Sequence, residues 1–295
     1  MPRRSLEERA LRWVPGDGPV SIQALASGLV NESYRVVRAG RLYSLRVATA
    51  DSPELGVDRQ WECKVLARAA AAGIAPAIQC CAPAEGVLVA DWVPSRAWTA
   101  AEIRRPDSIQ AMAQLLRRVH ALRIPQPARA MSPAAWIVHY SAALAERASA
   151  ELRAAADARL TLLAACPVPT AVLCHSDLHR LNVAVGERLV LLDWEYAHVS
   201  DPYWDLAGWI ANNDGGPQFA ADLLASYLQR PAVPDESARL RLFVWLYDYV
   251  CLLWSELYLK QRPGTGSNSV AARAEQLAIR LKSAPGSRAG QVPAH

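Results

Sequence analysis

Short apolar runs broken by glycine, asparagine and proline fill the first ninety positions, and apolar residues at three- and four-residue spacing fill most of the rest. Ser21–Ala26 and Tyr34–Val37 read as strands separated by Gly28 and Asn31. Arg38-Ala39-Gly40-Arg41 supplies a turn and Arg41–Ala48 returns, so positions 21–48 predict a three-stranded meander. Over 58–72 the period changes. Trp61, Val65, Leu66 and Ala69 line one face of a helix, Gly73 can end it, and Pro76 prevents its resumption. Ala77–Cys81 and Gly86–Val93 then read as two more strands joined around Ala84-Glu85, and Pro94-Ser95 breaks the pattern.

Beyond that break the pattern is mostly helical. Asp107–Leu122 is amphipathic through Ile109, Met112, Leu115, Leu116 and Val119, with Asp107 as the expected N-cap. Pro133–Ala156 reads as one alanine-rich helix, 171–174 and 189–192 as short strands around a polar segment, and 203–213, 217–229 and 236–260 as further helices. These elements predict an α+β fold. A small β-rich lobe occupies 1–93, a hinge lies near 91–95, a large helical lobe occupies 94–283, and a Gly-, Pro- and Ser-rich tail over 284–295 is expected to be disordered.

Composition narrows the function classes. The formal net charge of +4 is modest and its arginines and lysines are scattered, and Arg3-Arg4 is too short for a nucleic-acid arm, so no nucleic acid partner is expected. The first twenty residues contain no apolar signal core, which predicts a cytoplasmic chain. Leu240–Leu259 has the length of a membrane span but carries Arg241, Asp248 and Glu256, which predicts a buried helix and no membrane partner. The cysteines at 63, 80, 81, 166, 174 and 251 show no CxxC spacing and are expected to be reduced core residues. Oligomeric state is not legible in the pattern.

The chemistry concentrates in His175-Ser-Asp177-Leu-His-Arg-Leu-Asn182 and the following Asp193-Trp194-Glu195. Phosphoryl transfer needs a carboxylate to orient the attacking hydroxyl and take its proton. It also needs oxygen ligands that hold Mg²⁺ against the phosphates, because positioning and charge supply most of the catalysis. Asp177 is the candidate base. Asn182 on the same loop is a neutral metal ligand, and Asp193, after the next short strand, an anionic one. Protein kinases use the same order and spacing. A nucleotide-binding module without transfer activity is the alternative from another class, but it would be expected to lack one of these three residues.

These segments resemble the aminoglycoside phosphotransferase and choline kinase superfamily, in which the loop reads H-x-D-x4-N, followed by I-D-[WF]-E-[YF]-A and D-x3-D-[LI]-A. The corresponding residues here are His175–Asn182, Leu192–Ala197 and Asp201-Pro-Tyr-Trp-Asp205-Leu-Ala207. Asp-Trp-Glu-Tyr-Ala looks most like the choline, ethanolamine and thiamine kinase branch. The resemblance implies a two-lobed protein-kinase-like fold that uses ATP and Mg. It implies that Gly28, with Asn31 or Ser33, belongs to the phosphate-covering loop, that Arg46 contacts the nucleotide phosphates, and that Glu62 pairs with Arg46. Asp91 and Val93 would offer backbone groups to adenine, and His175 and Asp205 would support the catalytic loop.

The acceptor is less sharply marked. On a helix over 240–260, Trp245, Asp248 and Tyr249 share one quadrant, and an aromatic and acidic face suits a quaternary cation. The same face could instead be solvated, with the tryptophans in the core. Glu195 would either hold substrate or assist the metal. Together these predict transfer to the primary hydroxyl of a small cationic alcohol. Thiamine is the first expectation, then choline or ethanolamine, then an aminoglycoside or sugar.

Overall fold

The computed structural model describes residues 5–25, 28–49, 53–144, 149–262, 264 and 267–283. Expectations that fall on Arg3, Arg4, Ala26, residues 145–148 of the 133–156 helix, and the 284–295 tail lie outside the described residues. The chain forms two compact units. The first runs to Trp98 and also includes Leu181–Ala197; the second contains Thr99–Arg180 and the chain from His198 onward.

In the first unit the alternating pattern becomes a five-stranded antiparallel sheet. Its strands are β1 (Val20–Ala24), β2 (Asn31–Arg38), β3 (Arg41–Ala48), β4 (Ile78–Ala82) and β5 (Val87–Asp91), in the order β1-β2-β3-β5-β4. The β2–β3 hairpin closes through Ala39 and Gly40, both at positive φ (48° and 75°), the backbone that a two-residue turn between twisted strands requires. Period-2 alternation buries Tyr43, Leu45 and Val47 of β3 with Val36, Val87 and Val89. Each such side chain contributes about 1.5–3 kcal/mol when fully buried. The same alternation sends Arg46 to the opposite face of the sheet. A short helix that the sequence reading did not assign, α1 (Leu6–Trp13), adds Ala10 to this core, Val14 just after it adds to the core as well, and a Ser5/Glu8 capping box starts the helix.

Helix α2 (Arg59–Ala71) follows the expected boundaries. Asp58 caps it by accepting from the Trp61 N–H at 2.9 Å, and Trp61, Val65, Leu66 and Ala69 are buried. Gly73 ends it at φ 68°, and a Cβ there would also meet the Arg188 guanidinium at 2.8 Å. The cysteine expectation is corrected here: Cys63 on α2 and Cys81 on β4 form a disulfide, with Cα atoms 5.9 Å apart. Adjacent residues on a strand face opposite ways, so Cys81 meets α2 while Cys80 packs against the sheet core. The first unit is completed by a hairpin of β7 (Val183–Val185) and β8 (Leu189–Leu191), within the segment that returns to it late in the chain.

The second unit contains α3 (Pro106–His120), α4 (Pro133–Leu144), α5 (Ala150–Ala164), α6 (Tyr203–Asn212), α7 (Pro217–Leu228), α8 (Pro234–Gln261) and α9 (Ser267–Ser283). The strand pair β6 (Val172–Cys174) and β9 (His198–Ser200) belongs to it as well. Asp107 is not the cap of α3. Pro106, lacking an N–H, takes the first helical position after Arg105, and Asp107 sits in the first turn, where the helix dipole favours it. The single helix expected over 133–156 is two, α4 and α5. Helix α8 is long and apolar enough to span a membrane, but α4, α6 and α9 pack around it and bury most of it, as its internal charges suggested.

Candidate active site

In the first unit, six polar side chains meet in one network. Arg46 donates through Nη2 to Glu62 Oε1 at 2.5 Å and through Nη1 to Asp193 Oδ1 at 2.9 Å. Arg59, one residue into α2, donates to Glu62 at 3.1 Å, to Glu195 at 2.6 Å and to the Asn31 side-chain oxygen at 2.7 Å. Asn31 Nδ2 in turn donates to Glu195 at 2.7 Å. Glu62 and Glu195 are almost fully buried, and the guanidinium groups that face them offset part of the cost of burying carboxyl groups. The network holds three carboxyl groups, Glu62, Asp193 and Glu195, against two guanidiniums. Burial raises Glu195 to about 7, and the Asp193 charge adds to that, against the pull of Arg46 and Arg59.

Arg59 is a residue that the sequence reading missed. Its only local signal is the i,i+3 spacing to Glu62, while Glu195 lies 136 positions away. Glu195 and Asn31 face each other and Arg59 in this network, which gives both side chains internal partners. Ser33 stands opposite Arg46 in the β2–β3 register, and Gly28 is exposed just before β2. The Asp91 N–H donates to the Ala77 carbonyl, and its carboxylate accepts from Gln79 at 2.8 Å, so that N–H is engaged within the sheet. The Val93 carbonyl accepts from the Ser95 hydroxyl at 3.2 Å.

The β7–β8 hairpin brings Asn182 and Asp193 to one end. Val183 pairs with Leu191, and the Leu192 N–H donates to the Asn182 carbonyl at 2.9 Å. Asp193 itself adopts φ 61°, and its side chain keeps about a third of its surface exposed. Trp194 is fully buried and donates to the Leu191 carbonyl, and Trp61 of α2 donates to the Ala197 carbonyl at 2.7 Å, so Asp193 sits in a segment anchored on both sides. An amide oxygen and a carboxylate at one end of a hairpin are the hard oxygen donors that Mg²⁺ takes.

In the second unit, the loop bearing Asp177 is fixed through its backbone. Asp205, fully buried on α6, accepts from the N–H groups of His175 at 2.9 Å and Ser176 at 2.7 Å. His120 Nε2 lies 3.1 Å from the same carboxylate, and its Nδ1 lies 2.8 Å from the Tyr227 hydroxyl. Burial alone would raise Asp205. The hydrogen bond from His120, with the His120 and His175 charges and the His175 N–H, outweighs burial and holds it below the usual carboxylate range. The Ser176 hydroxyl meets His198 Nδ1 at 2.9 Å, and the Trp136 indole donates to His198 Nε2. His175 Nδ1 accepts from the Asp177 N–H at 3.3 Å. His120 and His198, which show no partner pattern in the sequence, are thus parts of the support for this loop, and Asp205 reaches it through main-chain N–H groups of His175 and Ser176.

On the other side, Tyr247 donates to the Ser176 carbonyl at 3.2 Å, and Asn212 donates to the Leu178 carbonyl at 3.0 Å and to Tyr247 at 2.9 Å. Asp177, about a third exposed, thus projects from a backbone held at the residues before and after it. His179 Nε2 lies 3.9 Å from it; burial, with Arg273 and Arg180 beside it, pushes His179 down to about 4, so it is neutral at pH 7.

The aromatic and acidic face of α8 is not open. Arg159 of α5 lies 4.1 Å over the Trp245 ring, and Trp245 donates to the Leu281 carbonyl of α9. Tyr249 is buried and stacked on Trp245, and the buried Asp248 is ion-paired with Arg280 of α9. The cations at this face are the protein's own, carried partly by α9, a helix that the sequence reading did not assign.

A family model described as the phosphotransferase enzyme family matches residues 21–243. No curated protein sequence matches. Among solved structures, the chain is similar to a choline/ethanolamine kinase family protein from Mesorhizobium loti, with 26% identity, 95% of each chain covered and a TM-score of 0.76. It also shares its fold with choline kinase LicA from Streptococcus pneumoniae, with 20% identity, 95% and 98% covered and a TM-score of 0.76. Macrolide 2'-phosphotransferase MphH from Brachybacterium faecium is a further fold relative, with 16% identity, 95% and 97% covered and a TM-score of 0.63.

Proposed function

The chain belongs to the phosphotransferase enzyme family and acts on an alcohol-type acceptor, and from that premise we propose that it transfers the γ-phosphoryl group of ATP to a small-molecule alcohol with Asp177 as the base. The carrying observation is the pinning of the Asp177 loop: a buried carboxylate, Asp205, accepts from the two consecutive N–H groups that precede Asp177. Such a loop orients its carboxylate before the acceptor arrives, so no reorganisation is needed when charge develops. Asp177 accepts the proton of the acceptor hydroxyl as its oxygen bonds to the γ-phosphorus, and the bond from that phosphorus to the bridging oxygen of ADP breaks. No covalent phosphoenzyme is required.

Asn182 and Asp193 would hold Mg²⁺, which when bound offsets phosphate charge. Arg46, kept charged by Glu62 and Asp193, would contact the phosphates, with Gly28 and Ser33 at the covering loop. Asn31 and Glu195 take supporting roles in this reading, because each is engaged by Arg59. Adenine would lie along the residues that follow β5, near Asp91 and Val93.

Thiamine, the acceptor expected from the sequence, is a cationic alcohol. Beyond the resemblance of Asp-Trp-Glu-Tyr-Ala, its support came from Trp245, Asp248, Tyr249 and Glu195, and Arg159, Arg280 and Arg59 now stand against three of these. The acceptor is therefore kept at the class of small-molecule alcohols here.

The test is Asp177→Ala. Phosphoryl transfer from ATP across a panel of alcohols should fall by a factor on the order of 10³ or more, with ATP binding by calorimetry retained. Undiminished turnover in this variant would overturn the assignment.

A further inference from the structure

In the second unit, Arg273 is a cation near Asp177 that, among the described residues, has no carboxylate in ion-pair contact. Arg273 on α9 donates to the Asn212 side-chain oxygen at 2.6 Å and also bonds the Cys251 thiol; both of these hydrogen-bond partners are neutral. Among the described residues, no carboxylate lies within ion-pair distance of it. Asn212 is the same side chain that holds the Leu178 carbonyl at 3.0 Å and Tyr247 at 2.9 Å, so only one side chain separates the guanidinium from the residue after Asp177. At longer range the Asp177 carboxylate itself attracts the Arg273 guanidinium. Asp248 of α8 also attracts Arg273, but its close ion pair is made elsewhere. Asp248 and Asp214 are both on Arg280, the latter at 3.3 Å.

A quaternary ammonium brought to this loop would meet a guanidinium with no carboxylate in ion-pair contact, whereas an anion would meet an exposed, oriented donor. Resting on the reading of Asp177 as the base, we infer that Arg273 is a specificity-determining residue, and that the acceptor is an alcohol carrying an anionic group, carboxylate or phosphate, which Arg273 binds while the hydroxyl faces Asp177. A guanidinium forms paired, charge-assisted hydrogen bonds with either anion, and a neutral or cationic alcohol of the same length cannot complete them. Asn212 holds the guanidinium in orientation in the absence of such a group. Arg273 has no role in proton transfer here; it selects and positions.

Direct binding tests the inference without depending on turnover. Glycerol 3-phosphate, glycerate, glycerol, choline and thiamine are titrated into the full chain with Mg²⁺ and a non-hydrolysable ATP analogue. At least one of the two anionic alcohols should bind roughly tenfold to a hundredfold more tightly than glycerol, and whichever is tighter identifies phosphate or carboxylate as the anion. In Arg273→Gln that ratio should collapse toward one, and Arg273→Lys should restore part of it. Equal binding of glycerol and both anionic alcohols, tighter binding of choline or thiamine, or an unchanged ratio in Arg273→Gln would each overturn the inference. Failure of the kinase reading shows separately, as absent transfer from ATP to an alcohol that binds.

Discussion

Asp205 illustrates how much of the site rests on single buried groups. Its carboxylate satisfies the His175 and Ser176 N–H groups and meets His120 in a fully buried position. Asp205→Ala would strand two backbone donors, each costing about 1–3 kcal/mol, and should lower unfolding free energy by several kcal/mol in urea titrations. Glu195 gives a pH-dependent counterpart. Its folded value, about 7, lies above its ordinary 4.5, so between those values the folded chain keeps a proton that the unfolded chain has released. Stability from this group is therefore fully present below about 4.5 and is lost as pH rises through about 7. Urea midpoints measured across this range should fall with rising pH, and Glu195→Gln should flatten the slope. At this scale Asp177, Asn182 and Asp193 could be singled out as candidates because their spacing lies within one short stretch. Arg59, His120 and His198 were not. Arg59 meets Glu195 across 136 positions and His120 meets Asp205 across 85, and no local pattern reports such partners.

Elements repeat the lesson in another form. The hairpin at Ala39-Gly40, helix α2 and the amphipathic α3 were legible because turn chemistry and periodicity act over a few residues. Helix α9 carries a buried stripe of Val270, Leu277 and Leu281 at helical spacing, yet it follows the Gly-Thr-Gly segment 264–266 that reads as an ending. Overlooking it left the aromatic face of α8 uncovered on paper, which made Trp245 and Asp248 look available. The Cys63–Cys81 disulfide was equally invisible, since it depends on which side of β4 faces α2. It closes a loop with a sequence separation of 18, a length for which chain entropy contributes about 3 kcal/mol. Thermal unfolding with and without a dithiol reductant should show a lower midpoint when reduced, and Cys81→Ser should reproduce that midpoint without responding to the reductant.

Across the whole molecule, the chain passes between its two units three times, after Trp98, Arg180 and Ala197. The proposed base thus belongs to one unit and the proposed metal ligands to the other, although Asp177 and Asn182 are five residues apart in sequence. This division separates the consequences of substitution. Asp177 belongs to the loop support in the second unit, so its removal should leave the guanidinium–carboxylate network of the first unit intact. Asp193 belongs to that network, where three carboxyl groups face two guanidiniums and Arg46 divides its donors between Glu62 and Asp193. Asp193→Ala removes a proposed metal ligand and a competitor for Arg46 in one step. Calorimetry should therefore show Mg·ATP affinity falling roughly tenfold or more. Metal-free ATP should bind at least as tightly as to the unsubstituted chain, because Arg46 then faces one carboxylate fewer. A merely structural Asp193 would weaken both together, whereas opposite responses would identify it as the residue that exchanges an internal guanidinium for a metal ion.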